Sequence, residues 1–482
     1  MTTRDLSTEP AFSVSAFTSD ERDRLTLLPD EEQRSVLYRD LLSDKGIDQP
    51  TNLAVAENVL LYPMMRAEVF DKMPVLPKEY VKYFPSYGSV ELRTMMAARL
   101  AESFGVPGQI TPDEVFGVAG VSSALQCIAW GLQTPLSVET DVPMPRGDQP
   151  CPVPPGSTVM LPAPFWQGFY WSFQQGPNLK CLPVPLTTAG IDNFRLTLDD
   201  LRREYDARPE KPKLLVLTNP QNPLGVNYDR QLLESTYEWA LQHTDMHIIS
   251  DEMYCHSQLS NAKPPFVSAL ALNAIEQYRD RVHVVWGFAK DFGLSGFRAG
   301  FLISRSPYVR NVMVGATNPT ERRNAQSWFT PMDSLKHFYL LNLLHANNDR
   351  FWHDAMRQYP ELLTSAYKSV AGVLDRYRIR HVHTEHANSA QFFWLDLREF
   401  LGRPDQSTTQ SGLFGFFGGD TQPDPEQHLA DAILRNANVQ LLTGTTLSCP
   451  VKGYFRLCFT ATETDQVVKA VTAMCEYLRS LQ

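Results

Sequence analysis

Long apolar runs and an excess of basic residues are both missing from this 482-residue chain. No apolar stretch approaches the roughly 18 residues of a membrane-spanning helix, and the N-terminus MTTRDLSTEPAFSVSAF has no basic flank followed by an apolar core. Acidic residues outnumber basic ones by 54 to 44, giving a net charge of -10 that argues against nucleic acid or an anionic membrane as partner. We therefore expect a soluble, untargeted protein that binds a small molecule.

Cysteine is scarce and irregularly spaced. The seven cysteines form no CxxC pair, as expected for reduced thiols in a cytosolic protein. Their positions are Cys127, Cys151, Cys181, Cys255, Cys449, Cys458 and Cys475. We therefore expect a cytoplasmic protein with neither a disulfide framework nor a zinc site.

Short apolar runs alternate with amphipathic helical segments from about residue 90 onward. Four of these runs end in turn residues, which is the pattern of a mainly parallel sheet covered on both faces. The runs are STVMLP (157–162), KLLVLTN (213–219), HIISDE (247–252) and VHVVWG (282–287). After about residue 332, long helical segments are followed by SAQFFWLDL, a further helix and GYFRLCFT. The sequence therefore predicts an α/β fold with a large domain and a smaller α+β domain.

Polar residues follow several of the predicted strands, where an open α/β sheet presents groups to a ligand. Asn222 lies in TNPQNPLG, Asp251 and Tyr254 lie in SDEMY, and Lys290 and Arg298 lie in WGFAKDFGLSGFRAG. A lysine directly after a buried strand needs an explanation, because a buried ammonium is costly unless it is paired or neutralised. Each feature also has an ordinary interpretation, a stiff turn for TNPQNPLG and a surface lysine for Lys290.

These groups suit a pyridine that carries an aldehyde and a phosphate. A carboxylate such as Asp251 can hold a pyridine nitrogen protonated, Asn222 and Tyr254 can donate to a phenolate oxygen, and Lys290 can form an imine. Arg298 supplies a fixed cation for a phosphate. A further anion site is predicted in GVAGVSSALQCIAWGL, where a helix begins near Ser122, although an ordinary serine N-cap is the alternative.

A metal site is the competing interpretation of DEMYCH. Its ligands would be Asp251, Glu252, Cys255 and His256. Partner ligands at metal spacing do not recur in the sequence, so we predict no metal.

Four ordered motifs, NPQNPLG, SDEMY, AKDFGLSGFRAG and GYFRLCF, resemble the fold type I pyridoxal phosphate (PLP) enzymes of the class I/II aminotransferase family. Within that family the chain is similar to 1-aminocyclopropane-1-carboxylate synthase in LAVAENVL (53–60), FPSYGS (84–89) and PAPFWQGFY (162–170). The resemblance spans about residues 50 to 480. It implies pyridoxal 5'-phosphate as cofactor and a homodimer.

The resemblance also implies a role for each matching residue. Lys290 would be the Schiff-base lysine and would move the substrate α-proton, while Asp251 would pair with the pyridine nitrogen. The remaining cofactor contacts would be Asn222 and Tyr254 on the ring oxygen, Val121, Ser122 and Arg298 on the phosphate, Trp166 on the ring face and Tyr87 on the neighbouring subunit's phosphate. Arg456 would clamp the substrate carboxylate, and Glu57 would lie near a sulfonium.

Three departures from the family pattern stand out. Gly287 occupies the position of a phosphate-binding serine, three residues before the lysine. Phe165 and Trp166 replace a pair of tyrosines, which puts the cyclopropane-forming reaction itself in doubt. The Pro-rich stretch 135–156 has no counterpart and is predicted to be a surface insertion.

The resemblance refines the predicted domains. We expect an N-terminal arm at 1–45, and an N-terminal part of the small domain with a dimer-contact segment at 46–90. A large PLP-binding domain with a mainly parallel seven-stranded sheet is expected at 91–331, and the C-terminal small domain at 332–482.

We predict an enzyme that acts on S-adenosylmethionine by α-deprotonation and γ-elimination or γ-replacement, with loss of methylthioadenosine. A second co-substrate captured by carbon–carbon bond formation, in specialised metabolism, is one version of this hypothesis. An aminotransferase is the alternative. A non-enzymatic PLP-binding regulator is a third hypothesis, which the acidic N-terminal segment disfavours because it contains no helix-turn-helix pattern.

Overall fold

A computed structural model describes residues 50–83, 85–135, 151–188, 194–314, 332–381, 388–402 and 424–482. The predicted N-terminal arm and residues 136–150 of the predicted insertion lie outside this part of the chain. The described residues form two compact units. The larger unit runs from Glu57 to Thr364 and includes 388–392, and the smaller unit contains the described residues up to Ala56, 365–381 and 393 onward.

The domain boundaries expected at 90/91 and 331/332 remain predictions. The sequence pattern changes at 332 because long helices begin there. The second of these helices, Phe351–Arg376, contributes residues to both units, so the division falls inside a helix.

The strands of the described residues are short. In chain order they are β1 (Thr51–Asn52), β2 (Val115–Val118), β3 (Thr158–Ala163), β4 (Lys180–Pro185), β5 (Thr187–Thr188), β6 (Phe194–Arg195), β7 (Leu214–Thr218), β8 (His247–Asp251), β9 (Val282–Gly287), β10 (Gly300–Ser304), β11 (Arg380–His381), β12 (Phe392–Asp396), β13 (Val439–Gln440), β14 (Leu442–Thr443) and β15 (Tyr454–Cys458). All four strands predicted from apolar runs are present, as β3, β7, β8 and β9.

The α-helices of the described residues alternate with these strands along the chain. They are α1 (Tyr62–Glu68), α2 (Val90–Ser103), α3 (Val121–Gln133), α4 (Gly168–Tyr170), α5 (Leu198–Asp206), α6 (Arg230–Gln242), α7 (Phe288–Asp291), α8 (Pro307–Val314), α9 (Ser334–Asp349), α10 (Phe351–Arg376), α11 (Pro425–Ala437) and α12 (Thr464–Ser480). Helix α10 contains a proline, Pro360, and continues through it. Across the part of the chain that the structure describes, no helix has the length and apolar character needed to cross a membrane.

The larger unit contains a seven-stranded sheet in the order β2, β10, β9, β8, β7, β3, β4. Strand β10 is antiparallel to both of its neighbours, and the remaining pairs are parallel. Every residue of β7, β8, β9 and β10 is buried, as expected for a sheet covered on both faces. The predicted α/β fold with a mainly parallel seven-stranded sheet is therefore confirmed.

The smaller unit contains a four-stranded sheet in the order β11, β12, β15, β14, and its β1 pairs in parallel with β13. Strand β15 carries Arg456, which lies opposite Leu442 of β14. This unit matches the predicted α+β character of the C-terminal region.

Strand register brings the polar residues of the larger unit to one sheet edge. Gly300, the first residue of β10, lies opposite both Val118 and Gly287, the last residues of β2 and β9. Asp251 at the end of β8 lies opposite Thr218 at the end of β7. The turns after β2, β7, β8 and β9 and the turn before β10 therefore share this edge.

A histidine pair lies buried in the same sheet. The rings of His247 in β8 and His283 in β9 stack with centroids 5.4 Å apart, and His247 Nδ1 lies 3.1 Å from His283 Nε2. His283 Nδ1 lies 2.8 Å from the hydroxyl of Ser304 in β10. Burial lowers the pKa of His283 to about 3, and burial together with His283 and Arg281 lowers the pKa of His247 well below its ordinary value.

We predict that acid destabilises the larger unit through this pair. Below about pH 6.5 these histidines become protonated in the unfolded chain but stay neutral in the folded protein. The free energy of unfolding therefore decreases as the pH is lowered. His283→Gln should remove about 2 kcal/mol of the loss between about pH 6.5 and pH 4.5, measured by urea denaturation. His243→Gln, at an exposed position, is the control. Equal pH dependence in His283→Gln and the wild type would contradict the prediction.

Candidate active site

Lys290 lies in α7, a single helical turn that directly follows β9. So short a helix leaves its carbonyl groups in need of partners outside the helix. The Lys290 carbonyl accepts hydrogen bonds from Asn58 Nδ2 at 2.8 Å and from Gln391 Nε2 at 2.9 Å. Neither amide was predicted as part of the site. Asn58 adjoins Glu57 in the AEN motif, whereas nothing in the sequence around Gln391 indicates this contact.

Asp251 ends β8 and is 5% exposed. Its Oδ1 accepts a hydrogen bond from the Met253 backbone N–H at 3.3 Å. Burial raises the pKa of Asp251 to about 7, while the Met253 N–H and the positive charge of Lys290 act in the opposite direction. The structure thus brings the predicted lysine and carboxylate into electrostatic contact at adjacent strand ends.

Asn222 is buried in the turn that follows β7. The side chains of two other residues hold this turn: Asn219 Nδ2 donates to the Val267 carbonyl at 2.9 Å, and Gln221 Nε2 donates to the Pro164 carbonyl at 2.7 Å. The turn is therefore rigid, as its ordinary interpretation requires, and it also places Asn222 at the edge with Asp251. Tyr254 is buried there too, with its ring edge-on to Phe392 at 5.4 Å between centroids.

An arginine lies against the N-terminus of α3. The N-cap is Gly120, with φ 87°, so the interpretation of Ser122 as an ordinary N-cap is wrong. A Cβ at Gly120 would lie 2.8 Å from Arg298 Nη2, so only a glycine lets the guanidinium approach this closely. The first N–H groups of α3, those of Val121 and Ser122, point with the helix dipole toward the same region, which suits a phosphate.

Trp166 and Tyr87 are both partly buried in the larger unit. The Trp166 ring lies directly over Gly168, where an added Cβ would be 2.2 Å from Trp166 Cζ2, and it also packs against Phe169 and Trp171. The Tyr87 ring contacts Phe116 and the guanidinium of Arg93.

Glu57 is tied to the turn that carries Arg298. The hydroxyl of Ser295 donates a short hydrogen bond to Glu57 Oε2, and Arg298 Nη1 donates to the Ser295 carbonyl at 3.0 Å. The serine was not predicted, although it lies inside AKDFGLSGFRAG.

Arg456 lies in the smaller unit. Its side chain is 1% exposed, and its Nη2 donates a hydrogen bond to the Ala54 carbonyl. Within that unit the guanidinium is thus held in one orientation from β15.

The structure groups different residues from those of the alternative metal site predicted in DEMYCH. Cys255 and His256 lie close to Asp291, whereas Glu252 Oε1 accepts hydrogen bonds from the Ser250 hydroxyl at 2.9 Å and the Ala269 N–H at 2.7 Å. The Asp291 carboxylate accepts from four donors: Trp286 Nε1 at 2.9 Å, Ser257 Oγ at 2.7 Å, the His256 N–H at 3.2 Å and Cys255 Sγ at 3.6 Å. The Asp291 carboxylate is thus occupied by hydrogen-bond donors, whereas His256 Nε2 is buried without a bonded partner among the described residues, and the absence of a metal remains a prediction.

Comparison with known families agrees with this geometry. Residues 76–474 match the family described as "Aminotransferase class I and II". The chain belongs to the class I and II aminotransferase family. It is accordingly a PLP-dependent enzyme.

Relatives of this aminotransferase-family chain include 1-aminocyclopropane-1-carboxylate synthase of Vigna radiata, 25% identical over 380 residues that cover 77% of this chain and 88% of the relative. A mouse protein, "Probable inactive 1-aminocyclopropane-1-carboxylate synthase-like protein 2", is 26% identical over 447 residues. The aligned region covers 90% of this chain and 67% of the mouse protein. Aspartate aminotransferase of Thermus thermophilus with maleate has the same fold, with a TM-score of 0.66, 20% identity and coverage of 96% and 99%.

The residues at the sheet edge fit the family's cofactor. The cradle between Gly120 and Arg298 suits its phosphate, and the buried Asp251 carboxylate suits its protonated ring nitrogen. The sequence-derived assignment of individual contacts remains a prediction.

Packing explains the glycine at the usual serine position. A Cβ at Gly287 would lie 2.9 Å from the Ala299 carbonyl oxygen and 3.2 Å from Gly300 Cα. Both are backbone atoms that cannot move without disturbing the pairing of β9 with β10. The missing serine hydroxyl is thus a consequence of close backbone packing.

We predict that Gly287→Ser lowers the stability and the cofactor retention of this enzyme, even though serine is the family's usual residue. Displacing β10 should lower the free energy of unfolding by about 1–3 kcal/mol and weaken cofactor retention. Urea denaturation and the visible absorbance after dialysis measure the two effects. Gly296→Ser is the matched control, because an added Cβ there meets nothing within 4 Å. Tighter cofactor binding by Gly287→Ser would show that the position is not restricted by packing.

Proposed function

We propose that this enzyme acts on S-adenosylmethionine, removing the α-proton and releasing methylthioadenosine by γ-elimination or γ-replacement. The observation that carries the proposal is the position of Glu57. Its carboxylate is bonded to Ser295 in the turn before Arg298, and the next residue, Asn58, is bonded to the Lys290 carbonyl.

The backbone confirms how closely these segments lie. A Cβ at Gly293 would be 1.8 Å from the Asn58 carbonyl oxygen, so the 57–58 segment packs directly on the turn after Lys290. The Glu57 carboxylate is therefore bonded to the turn that lies between Lys290 and Arg298 in the chain. A sulfonium has no N–H or O–H to donate, so the attraction of a carboxylate and aromatic faces is what can recognise it. The similarity to 1-aminocyclopropane-1-carboxylate synthases supports the same substrate.

The residues at the sheet edge would divide the chemistry among them. PLP, when bound, supplies an electron sink for the charge left on the substrate α-carbon. Asp251 holds the ring nitrogen protonated, and Asn222 and Tyr254 donate to the ring oxygen. Lys290 Nζ would hold the cofactor in the absence of substrate and would act as the base for the substrate α-proton.

Other residues would position the cofactor and the substrate. The Val121 and Ser122 N–H groups and Arg298 bind the phosphate, and Trp166 covers the ring face. Arg456 pairs with the substrate α-carboxylate through its two parallel N–H donors.

The residues beside Trp166 favour capture of the γ-carbon by a second substrate over ring closure. Phe165 replaces a tyrosine, and its ring is buried against Phe169 and Tyr170, so position 165 itself offers no hydroxyl. The Gln167 carboxamide is 9% exposed, and neither of its polar atoms bonds to a described residue. A buried amide that offers both a donor and an acceptor suits a polar co-substrate. We therefore expect little free 1-aminocyclopropane-1-carboxylate.

Exposed apolar side chains support a homodimer. Val75, Val81 and Tyr83 are 91%, 72% and 99% exposed. Phe70, which precedes these residues in sequence, contacts Phe297, the residue before Arg298, at 6.1 Å between ring centroids. A second copy that covers these side chains would contact the segment that precedes Tyr87 in sequence, and the role expected of Tyr87 requires such a dimer. A cytoplasmic location remains the expectation from the cysteine pattern.

We predict that Glu57→Gln discriminates between substrates. The KM for S-adenosylmethionine should rise about tenfold to a hundredfold, because only a cation loses its partner, while an uncharged amino acid of similar length is affected less than about threefold. Steady-state assays of methylthioadenosine release and of keto-acid formation measure both.

Glu238→Gln, the same change at an exposed site, should alter neither substrate. Keto-acid formation by the wild type without methylthioadenosine would establish the aminotransferase alternative. Absence of both products would favour the non-enzymatic regulator.

We predict that the active site is shared between two subunits. Lys290→Ala should be inactive, and Tyr87→Phe should lose about tenfold in activity at limiting PLP because a phosphate contact is removed. Mixed dimers of the two variants contain one wild-type site, so a refolded equimolar mixture should be about fivefold more active than the mean of its parents. Lys290→Ala mixed with Asp251→Asn is the control, since both changes affect residues of one chain and no wild-type site forms. Absence of recovery in the first mixture would refute the shared site.

A further inference from the structure

A buried hydrogen-bond network contacts the backbone carbonyl of Lys290. Its hub is the hydroxyl of Tyr359 in α10, a side chain with 0% exposure. Asn58 Nδ2 donates to this hydroxyl at 3.0 Å and Gln391 Nε2 at 2.9 Å, and the same two amide nitrogens bond the Lys290 carbonyl. The hydroxyl of Ser257 lies 3.0 Å from that of Tyr359. One phenol thus joins both amides that hold the lysine turn.

The bonded partners indicate one direction for the protons between Asn58, Tyr359 and Ser257. The Leu60 N–H donates to Asn58 Oδ1 at 3.1 Å, which orients the Asn58 amide with its nitrogen toward Tyr359. The Tyr359 oxygen accepts two N–H groups, so its own proton is left for Ser257. Ser257 in turn donates to Asp291 Oδ1 at 2.7 Å.

Asp291 ends the chain of donors. Its carboxylate accepts from four donors, including Trp286 Nε1 at 2.9 Å, and so is acceptor-only. Burial raises the pKa of Asp291 to about 6, with the Trp286 and Ser257 donors acting against burial, so the group is charged at neutral pH. A buried anion at the residue after Lys290 thus polarises the network in one direction.

We propose that Tyr359 is a positioning residue for Lys290: it fixes the two amides that hold the lysine turn and thereby sets the direction of Lys290 Nζ. The proposal rests on the proposed role of Lys290 as the cofactor-binding lysine. Tyr359 holds Asn58 and Gln391, these hold the Lys290 carbonyl, and Ser257 and Asp291 hold Tyr359. Water cannot replace a lost partner, because the five residues behind Lys290 are all buried: Asn58, Ser257, Asp291, Tyr359 and Gln391.

Tyr359→Phe tests this directly, since it keeps the ring and removes only the hydroxyl. The amides of Asn58 and Gln391 then each lose an acceptor, and the turn gains freedom to rotate. We expect kcat to fall at least tenfold with KM within about threefold of the wild type, because substrate binding groups are untouched. In the holoenzyme without substrate, the pH midpoint at which the visible cofactor band changes should also shift by at least about half a unit.

Two further variants make the result specific. Tyr237→Phe is the matched control, because Tyr237 is equally buried with 0% exposure and takes no part in the network; its kcat and its visible band should match the wild type. Ser257→Ala removes the acceptor of the Tyr359 proton and should reproduce the Tyr359→Phe phenotype in milder form. The double variant should lose little more than Tyr359→Phe alone, since both break one chain of bonds.

The outcomes separate this proposal from the assignment of Lys290. If Tyr359→Phe folds and has wild-type kcat and a wild-type band midpoint, the positioning role is overturned while the role of Lys290 stands. If Tyr359→Phe does not fold, Ser257→Ala decides by the same two measurements. If Lys290→Ala keeps the visible band of a lysine-bound cofactor, the proposed function itself fails.

Discussion

The pairing of β10 with β2 on one side and β9 on the other is the constraint on which the candidate site depends. Gly300 lies opposite both Val118 and Gly287, so the helix start after β2, the lysine turn after β9 and the arginine turn before β10 meet. A Cβ at Gly300 would be 3.0 Å from the Val121 nitrogen. Close backbone approach at Gly120, Gly287 and Gly300 thus shapes the candidate phosphate site and leaves no room for the family's additional serine.

Two buried carboxylates near Lys290 show how environment separates chemical roles. Asp291 accepts hydrogen bonds from four protein donors and serves to anchor the lysine turn. Asp251 is nearly as buried, and burial raises its pKa to about 7, so it gains most from a positively charged ligand group such as a protonated ring nitrogen. The larger unit thus has one carboxylate stabilised by its own chain and another suited to the cofactor.

Much of this architecture could be predicted because strands and site motifs are local in sequence. Apolar runs before turn residues identified β3, β7, β8 and β9, and Asn222, Asp251 and Lys290 lie at the end of three of these strands or in the turn that follows. The site contacts of Asn58, Tyr359 and Gln391 could not be predicted, since these residues are far apart in the chain and none follows a strand. Local pattern alone would also end a helix near Pro360, whereas α10 continues through this residue.

The sequence by itself determined the family, the cofactor and the strand ends that carry the polar groups, because these depend on residue order within short segments. Only the tertiary structure decided that Glu57 is bonded to Ser295, that Gly287 has no room for a side chain and that Tyr359 joins the amides behind Lys290. Each of these depends on backbone segments packing within hydrogen-bond or van der Waals distance after folding. Such distances arise from the register of the sheet and the satisfaction of buried polar groups, which no local pattern records.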